Sequence, residues 1–223
     1  MPEQAPKLQM LFDRFVRLLA AAKLLEASGC DGTCRILHLG ATSDDLTLFL
    51  PTYDIVAAPF NTAEDMLAVE SFTDDSFDAV VTIGEFEYFS TAHRAKLIKE
   101  QMRLAGSLCL VDFPNSDCLS DWLQLLEITC SSQVATCLLT GLPFAQNVMA
   151  SYTREFEQVK LYTHTDRTSW LSFSALAGLN NLAARMISPQ LNLEEQEYSQ
   201  VLPASDDEKV KKCAYNLVVA KRA

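Results

Sequence analysis

The run Arg35-Ile36-Leu37-His38-Leu39-Gly40-Ala41-Thr42-Ser43-Asp44-Asp45 constrains the fold more than any other part of the chain. It reads as a buried strand, a tight glycine turn, and the start of a helix capped by Ser43 or Asp44. A strand that ends in glycine and feeds a helix N-terminus sets free backbone N–H groups at the carboxyl edge of a sheet. Open α/β sheets bind ligands at that edge. The sequence therefore predicts a crevice at Gly40.

The same grammar continues down the chain. Residues 44–50 read as a short helix that Pro51 breaks, and residues 54–58 as a second apolar strand ending at Pro59. Residues 66–69 read as a third, short strand. Residues 79–84 form another apolar strand closed by a glycine. A helix over 91–104, with Thr91 as its cap and Ala105-Gly106 as its stop, leads to a strand at 107–112. Leu119, Trp122, Leu123, Leu126 and Ile128 trace a further helix, and 156–162 and 214–221 read as strands. Strands alternating with helices imply one α/β domain, a mostly parallel sheet with helices on both faces.

Two segments stand outside this alternation. From 7 to 28 the apolar residues Leu8, Leu11, Phe12, Phe15, Leu18, Leu19, Ala22 and Leu25 recur at three- and four-residue steps. That is one face of a long amphipathic helix, packed on the sheet edge or lying as a flap over a substrate. Residues 163–212 form a long connection before the last strand. Its half from Trp170 to Ile187 is apolar and helical in period; its half from Ser188 to Lys211 is polar and acidic, an exposed loop or short helices. The apolar half needs a surface to cover: the core, the crevice as a lid, or a second copy or partner subunit.

Composition excludes several classes. The net charge of -11 argues against a nucleic-acid partner, which needs clustered Lys and Arg. No apolar run is long enough for a membrane span. Seven cysteines scattered through apolar runs, without a secretory pattern, suit a reducing cytoplasm. Cys30 and Cys34 have no second Cys or His pair to complete a metal site, so they read as buried thiols and no metal is expected.

With these elements placed, residues 34–114 resemble the class I S-adenosylmethionine-dependent methyltransferases, especially the small-molecule type often labelled type 11. Arg35-Ile36-Leu37-His38-Leu39-Gly40 stands where that family has its first strand and glycine turn. Phe72-Thr73-Asp74-Asp75-Ser76-Phe77-Asp78-Ala79-Val80-Val81 looks like its "PF-D-SFD-VV" stretch, and Gly84-Glu85-Phe86-Glu87-Tyr88-Phe89 follows where the family often has a Glu-His pair. The strand at 107–112 and the closing Tyr215-Asn216-Leu217-Val218-Val219-Ala220-Lys221 also match. The resemblance implies a Rossmann-like, seven-stranded sheet with its last strand antiparallel, and S-adenosylmethionine as cofactor. It implies in-line attack of a small-molecule nucleophile on the cofactor's methyl group, where positioning supplies much of the rate and catalytic residues leave little trace. Cofactor contacts would come from Gly40, Ala41, Thr42, Phe60, Glu70, Gly84 and Glu85, and substrate contacts from Glu87, Tyr88 and Trp170.

The chain also departs from that family. His38 replaces an acid of the first turn, and Thr42 and Asp44 stand at later glycine positions. Pro59 occupies the position of the ribose-binding carboxylate. Only a short span separates Pro59 from Ser76, so the helix after the second strand is shortened or lost. His38 reads as a switch, a ligand, or a core histidine satisfied by neighbouring backbone. Glu87 and Tyr88 either face substrate, with Tyr88 as a weak general base, or cap the next helix. A second reading is a non-catalytic binding or scaffold protein on the same fold. A nicotinamide-binding protein is a distant third, because Gly40-Ala41-Thr42-Ser43 lacks the G-x-G-x-x-G glycines.

Overall fold

The computed structural model describes residues 12–43, 45–129, 131–168, 170–171, 202–203 and 213–222. Seven strands form one sheet: β1 (Arg35–Leu39), β2 (Asp54–Ala58), β3 (Phe77–Thr82), β4 (Ala105–Pro114), β5 (Gln158–Asp166), β6 (Leu202–Pro203) and β7 (Cys213–Lys221). Their order is β2-β1-β3-β4-β7-β5-β6. The β1–β2, β1–β3 and β3–β4 pairs are parallel, and β7 runs antiparallel to both β4 and β5. Five strands thus point one way and two, the short β6 and the last strand β7, are reversed; the antiparallel last strand is as the resemblance implies.

Alternation along the strands divides the core. Ile36, Ala79, Val81, Leu108, Leu110, Leu217 and Val219 face α1 (Phe12–Ala27). Leu37, Leu39, Val80, Cys109, Val111, Val218 and Ala220 face α2 (Ala63–Glu70), α3 (Thr91–Leu104) and α6 (Ala145–Tyr152). A third cluster, built on Trp122, Leu125, Val134, Cys137, Trp170 and Tyr215, packs α4 (Leu119–Thr129) and α5 (Ser132–Thr140) at the carboxyl edge. Helices therefore cover both faces.

Several expectations are corrected. Residues 66–69 are helical, because Thr62 accepts from the Asp65 N–H while the Asp65 carboxylate accepts from the Thr62 N–H, a capping box that starts α2. Met66 and Val69, three apart, then point into the core together. The sheet consequently ends at β2, and the seventh strand is the two-residue β6 on the far edge. The helix over 44–50 is one 3₁₀ turn, Asp45–Leu48. The cap of α3 is Ser90, not Thr91. Helices α5 and α6 have too few periodic apolar residues to be legible as helices from the sequence. The N-terminal helix lies over the face of the sheet, not its edge: Lys221 Nζ donates to the Ser28 carbonyl at one end, and Arg14 reaches the Ile83 carbonyl at the other. The predicted helix beyond Leu171 and nearly all of the acidic half of the long connection lie outside the described residues.

Candidate functional site

Two glycine turns meet at the carboxyl edge. Gly40 and Gly84 close β1 and β3 with φ of +96° and +81°, a region where side chains are strained. The turns are laced together: Thr82 Oγ1 donates to the Leu39 carbonyl at 2.8 Å, and the Gly40 N–H donates to the Ala58 carbonyl of β2 at 2.7 Å. A Cβ on Gly40 would lie 3.4 Å from the Cβ of Glu85 and 3.7 Å from Phe89 Cε2. The two turns are therefore side by side, as a crevice there requires.

The chain's own side chains stand in front of the turns. A Cβ on Gly84 would come within 2.8 Å of Arg14 Nη1, which donates to the Ile83 carbonyl at 2.8 Å and lies 3.4 Å from Glu85 Oε1. Arg14 Nε is 3.5 Å from Asp45 Oδ2. Burial pushes the Glu85 carboxyl above its ordinary value, and Arg14 pulls the other way. Phe60 is fully buried and meets Phe89 edge to face, with ring centroids 6.4 Å apart. Ala41 is buried and Thr42 is exposed.

Six of the seven predicted cofactor positions thus gather here, and Glu70 does not. With 66–69 helical, Glu70 is the last residue of α2 and pairs with Lys96 of α3 at 3.1 Å. His38 meets its expected backbone neighbour only in part. The Ile83 carbonyl lies close enough to draw the imidazole pKa upward, but it falls short of a full hydrogen bond to either ring nitrogen among the described residues and accepts from Arg14. Burial, reinforced by the Arg14 charge, pushes the imidazole down to about 3, so it is neutral.

Beside the turns lies a buried charge network that no motif announced. Arg17 of α1 bonds Asp112 through Nε and Glu87 through Nη1 and, at 3.0 Å, Nη2; all three side chains are buried. The His164 Nε2 is 2.9 Å from Asp112 Oδ1, and its Nδ1 is 2.9 Å from Thr165 Oγ1. Tyr215 stacks on His164, lies under Arg17 with 4.5 Å from Cζ to the ring centre, and donates to Asp13. Trp170 Nε1 donates to the Tyr215 hydroxyl at 2.7 Å and to Asp13 at 3.0 Å. Burial works against the Asp112 carboxylate, yet Arg17 and His164 hold it below its ordinary value. Burial raises Glu87, and Arg17 only partly compensates. Of the two carboxyls that Arg17 bridges, Glu87 therefore takes a proton before Asp112.

The predicted substrate residues divide accordingly. Glu87 and Trp170 are buried members of the network, whereas Tyr88 and Glu85 form one wall of an open cavity of about 260 Å³ whose other wall is Ser132 and Thr136 of α5. Burial and then Glu87 push the Tyr88 phenol far above the neutral range, which keeps it protonated there. Neither residue caps α3, because Ser90 does. The sequence reading missed Arg14, Arg17 and His164. The available signal was charge out of pattern: Arg17 interrupts the apolar run Phe15-Val16-Leu18-Leu19, and Asp112 sits between Val111 and Phe113.

No protein-family profile matches the chain, and no curated protein is similar to it. Solved structures are similar to it. A Thermotoga maritima S-adenosylmethionine-dependent methyltransferase, described as a possible histamine N-methyltransferase, is 10% identical with a TM-score of 0.52 over 94% of this chain and 91% of that one. The plantazolicin methyltransferase BpumL, in complex with SAH, is 12% identical with a TM-score of 0.56 over 94% of this chain and 84% of its own. The YcgJ protein of Bacillus subtilis is 15% identical with a TM-score of 0.50 over 91% and 97%. The chain has the class I S-adenosylmethionine-dependent methyltransferase fold.

Proposed function

We propose that this chain transfers a methyl group from S-adenosylmethionine to a small-molecule acceptor. The observation that carries the reading is the pair of positive-φ glycine turns, Gly40 and Gly84, set side by side at the carboxyl edge of this fold. The backbone fits the cofactor. What stands in front of Gly84 is the guanidinium of Arg14, the far end of a flexible and partly exposed side chain, which can withdraw. The fit is poorer on the ribose side, where Pro59 offers no acceptor. Gly40, Ala41, Thr42, Gly84 and Glu85 would hold the cofactor, which supplies an electrophilic methyl group when bound.

The chain's own work is placement and proton handling. The acceptor would occupy the cavity between Tyr88 and α5, beside the turns, where Ser132 and Thr136 offer hydroxyls to orient it. Glu85 faces both crevice and cavity. Its carboxylate, raised by burial, takes the proton that a nitrogen or oxygen acceptor must lose. The Arg17 network fixes Glu87 and hence the start of the segment that carries Tyr88. Six described cysteines are free thiols, which supports a reducing cytoplasm as the site of action.

A second reading, a binding or scaffold protein, is favoured by Arg14 and Phe89 standing over the turns and by Pro59. Incubation with methyl-labelled S-adenosylmethionine and a small-molecule extract separates the two. Label entering a small molecule faster with the wild type than with Glu85→Gln supports transfer. Absence of label with every extract fraction, together with no cofactor binding, supports the scaffold.

A further inference from the structure

A second cavity, of about 340 Å³, opens between α3, α6 and the segment 140–144, and it shares no lining residue with the glycine turns. Its walls are mixed: Phe86, Ile98, Leu142, Val148 and, at the exposed mouth, Phe144 form an apolar part, and Thr91, Asn147 and Ser151 add polar groups. One charge lines it. Arg94 is 8% exposed; its Nε donates to the Phe86 carbonyl at 3.0 Å and its Nη2 to the Glu87 carbonyl at 2.8 Å and to Thr140 Oγ1 at 3.5 Å.

Those contacts fix the guanidinium plane and leave Nη1 without a hydrogen bond among the described residues. No carboxylate among the described residues pairs with this cation either. Cys137 and then Glu87 act on it from nearby, and the Glu87 carboxylate is held on both oxygens by Arg17. Burial lowers the Arg94 pKa, which states the same imbalance, but a guanidinium stays charged at neutral pH. Nη1 is not one of the sealed, unpaired polar atoms of the core, so the cation keeps an accessible donor on the cavity it lines, and an anion with an apolar body would meet both charge and wall there.

We infer that this cavity binds a small organic carboxylate with an apolar body, its head on Arg94 Nη1 and its body against Phe86, Ile98, Leu142 and Val148. The volume suits a small ligand, and one charged contact in a mostly apolar pocket fixes its orientation. This inference stands independently of the methyl-transfer reading.

Calorimetric titration of the full chain with octanoate, 1-octanol and acetate tests it. Octanoate should saturate and bind roughly tenfold or more tighter than 1-octanol, because only the carboxylate satisfies the cation. Acetate, which has the head without the body, should not saturate over the same range. Ala95→Trp, at an exposed position that lines the cavity, should weaken octanoate at least roughly tenfold by filling it. Arg94→Met should level octanoate with 1-octanol; since Arg94 also holds two carbonyls, Ala95→Trp decides the matter if that variant does not fold. Equal binding of octanoate and 1-octanol to the wild type, saturation by acetate, or octanoate affinity untouched by Ala95→Trp would each overturn the assignment.

Discussion

Replacing Arg17 with methionine is the most informative perturbation of the buried network. The side chain lies between two fully buried carboxylates, Asp112 and Glu87, and near half-exposed Asp13. Methionine fills much of the volume but leaves both buried carboxylates without their cation. Breaking a buried pair in this way costs about 3–5 kcal/mol, a large part of the 5–15 kcal/mol typical of a domain. For a chain of this size, that corresponds to a fall in Tm of roughly 6–20 °C. The pH dependence follows from the two shifts. Asp112, held below its ordinary value of 3.8, contributes stability that is present above that value and is lost only as pH falls through its lower folded value. Glu87, raised above 4.5, is more stably folded when protonated, and that contribution is lost as pH rises through its folded value. In Arg17→Met both carboxyls lose their cation and titrate higher, so acidification from pH 7 towards 5 should narrow the gap to wild type. Urea unfolding at the two pH values measures it. A variant within about 1 kcal/mol of wild type at pH 7, or a gap that widens on acidification, would refute the assignment of Arg17 as the charge that holds this site together.

Arg14→Ala should tighten S-adenosylhomocysteine binding several-fold, because partly exposed pairs worth about 0–1 kcal/mol each no longer have to break, while thermal unfolding stays near wild type. Pro59→Asp should strengthen cofactor binding roughly ten- to a hundredfold if the missing carboxylate is the defect, read by calorimetry; weaker binding would place the ribose elsewhere. Glu85→Gln should lower the rate of label transfer, and the wild-type rate should fall with decreasing pH through a carboxyl pKa above 4.5, since only the ionised form accepts a proton. A pH–rate profile that is flat across that limb would remove Glu85 from the proton path.

The central strands and two helices were legible because burial on both sheet faces demands continuous apolar runs, and glycines at 40 and 84 punctuate them. Helix α2 was misread because a four-residue apolar run fits either period; its capping box, Thr62 with Asp65, was the better signal. Helix α5 offered only Ser131 as a cap and Val134 with Cys137 as a buried pair, too little for periodicity to settle. The glycine side of the crevice was visible because backbone demands leave a residue-type signature. The network was not, because Arg17, Asp112 and His164 lie 95 and 52 residues apart and meet only through the sheet order. Arg14's place before Gly84 is likewise a tertiary fact, set by how α1 lies across the sheet.

Calorimetric titration of the wild-type protein with S-adenosylmethionine and S-adenosylhomocysteine tests the central claim most directly. The account predicts one saturable site for each, with Kd on the order of 10 μM to 1 mM given the missing ribose carboxylate, and loss of both in Gly40→Val, whose side chain would meet Glu85 and Phe89. No heat of binding at millimolar ligand, in the wild type and in Arg14→Ala alike, would contradict it.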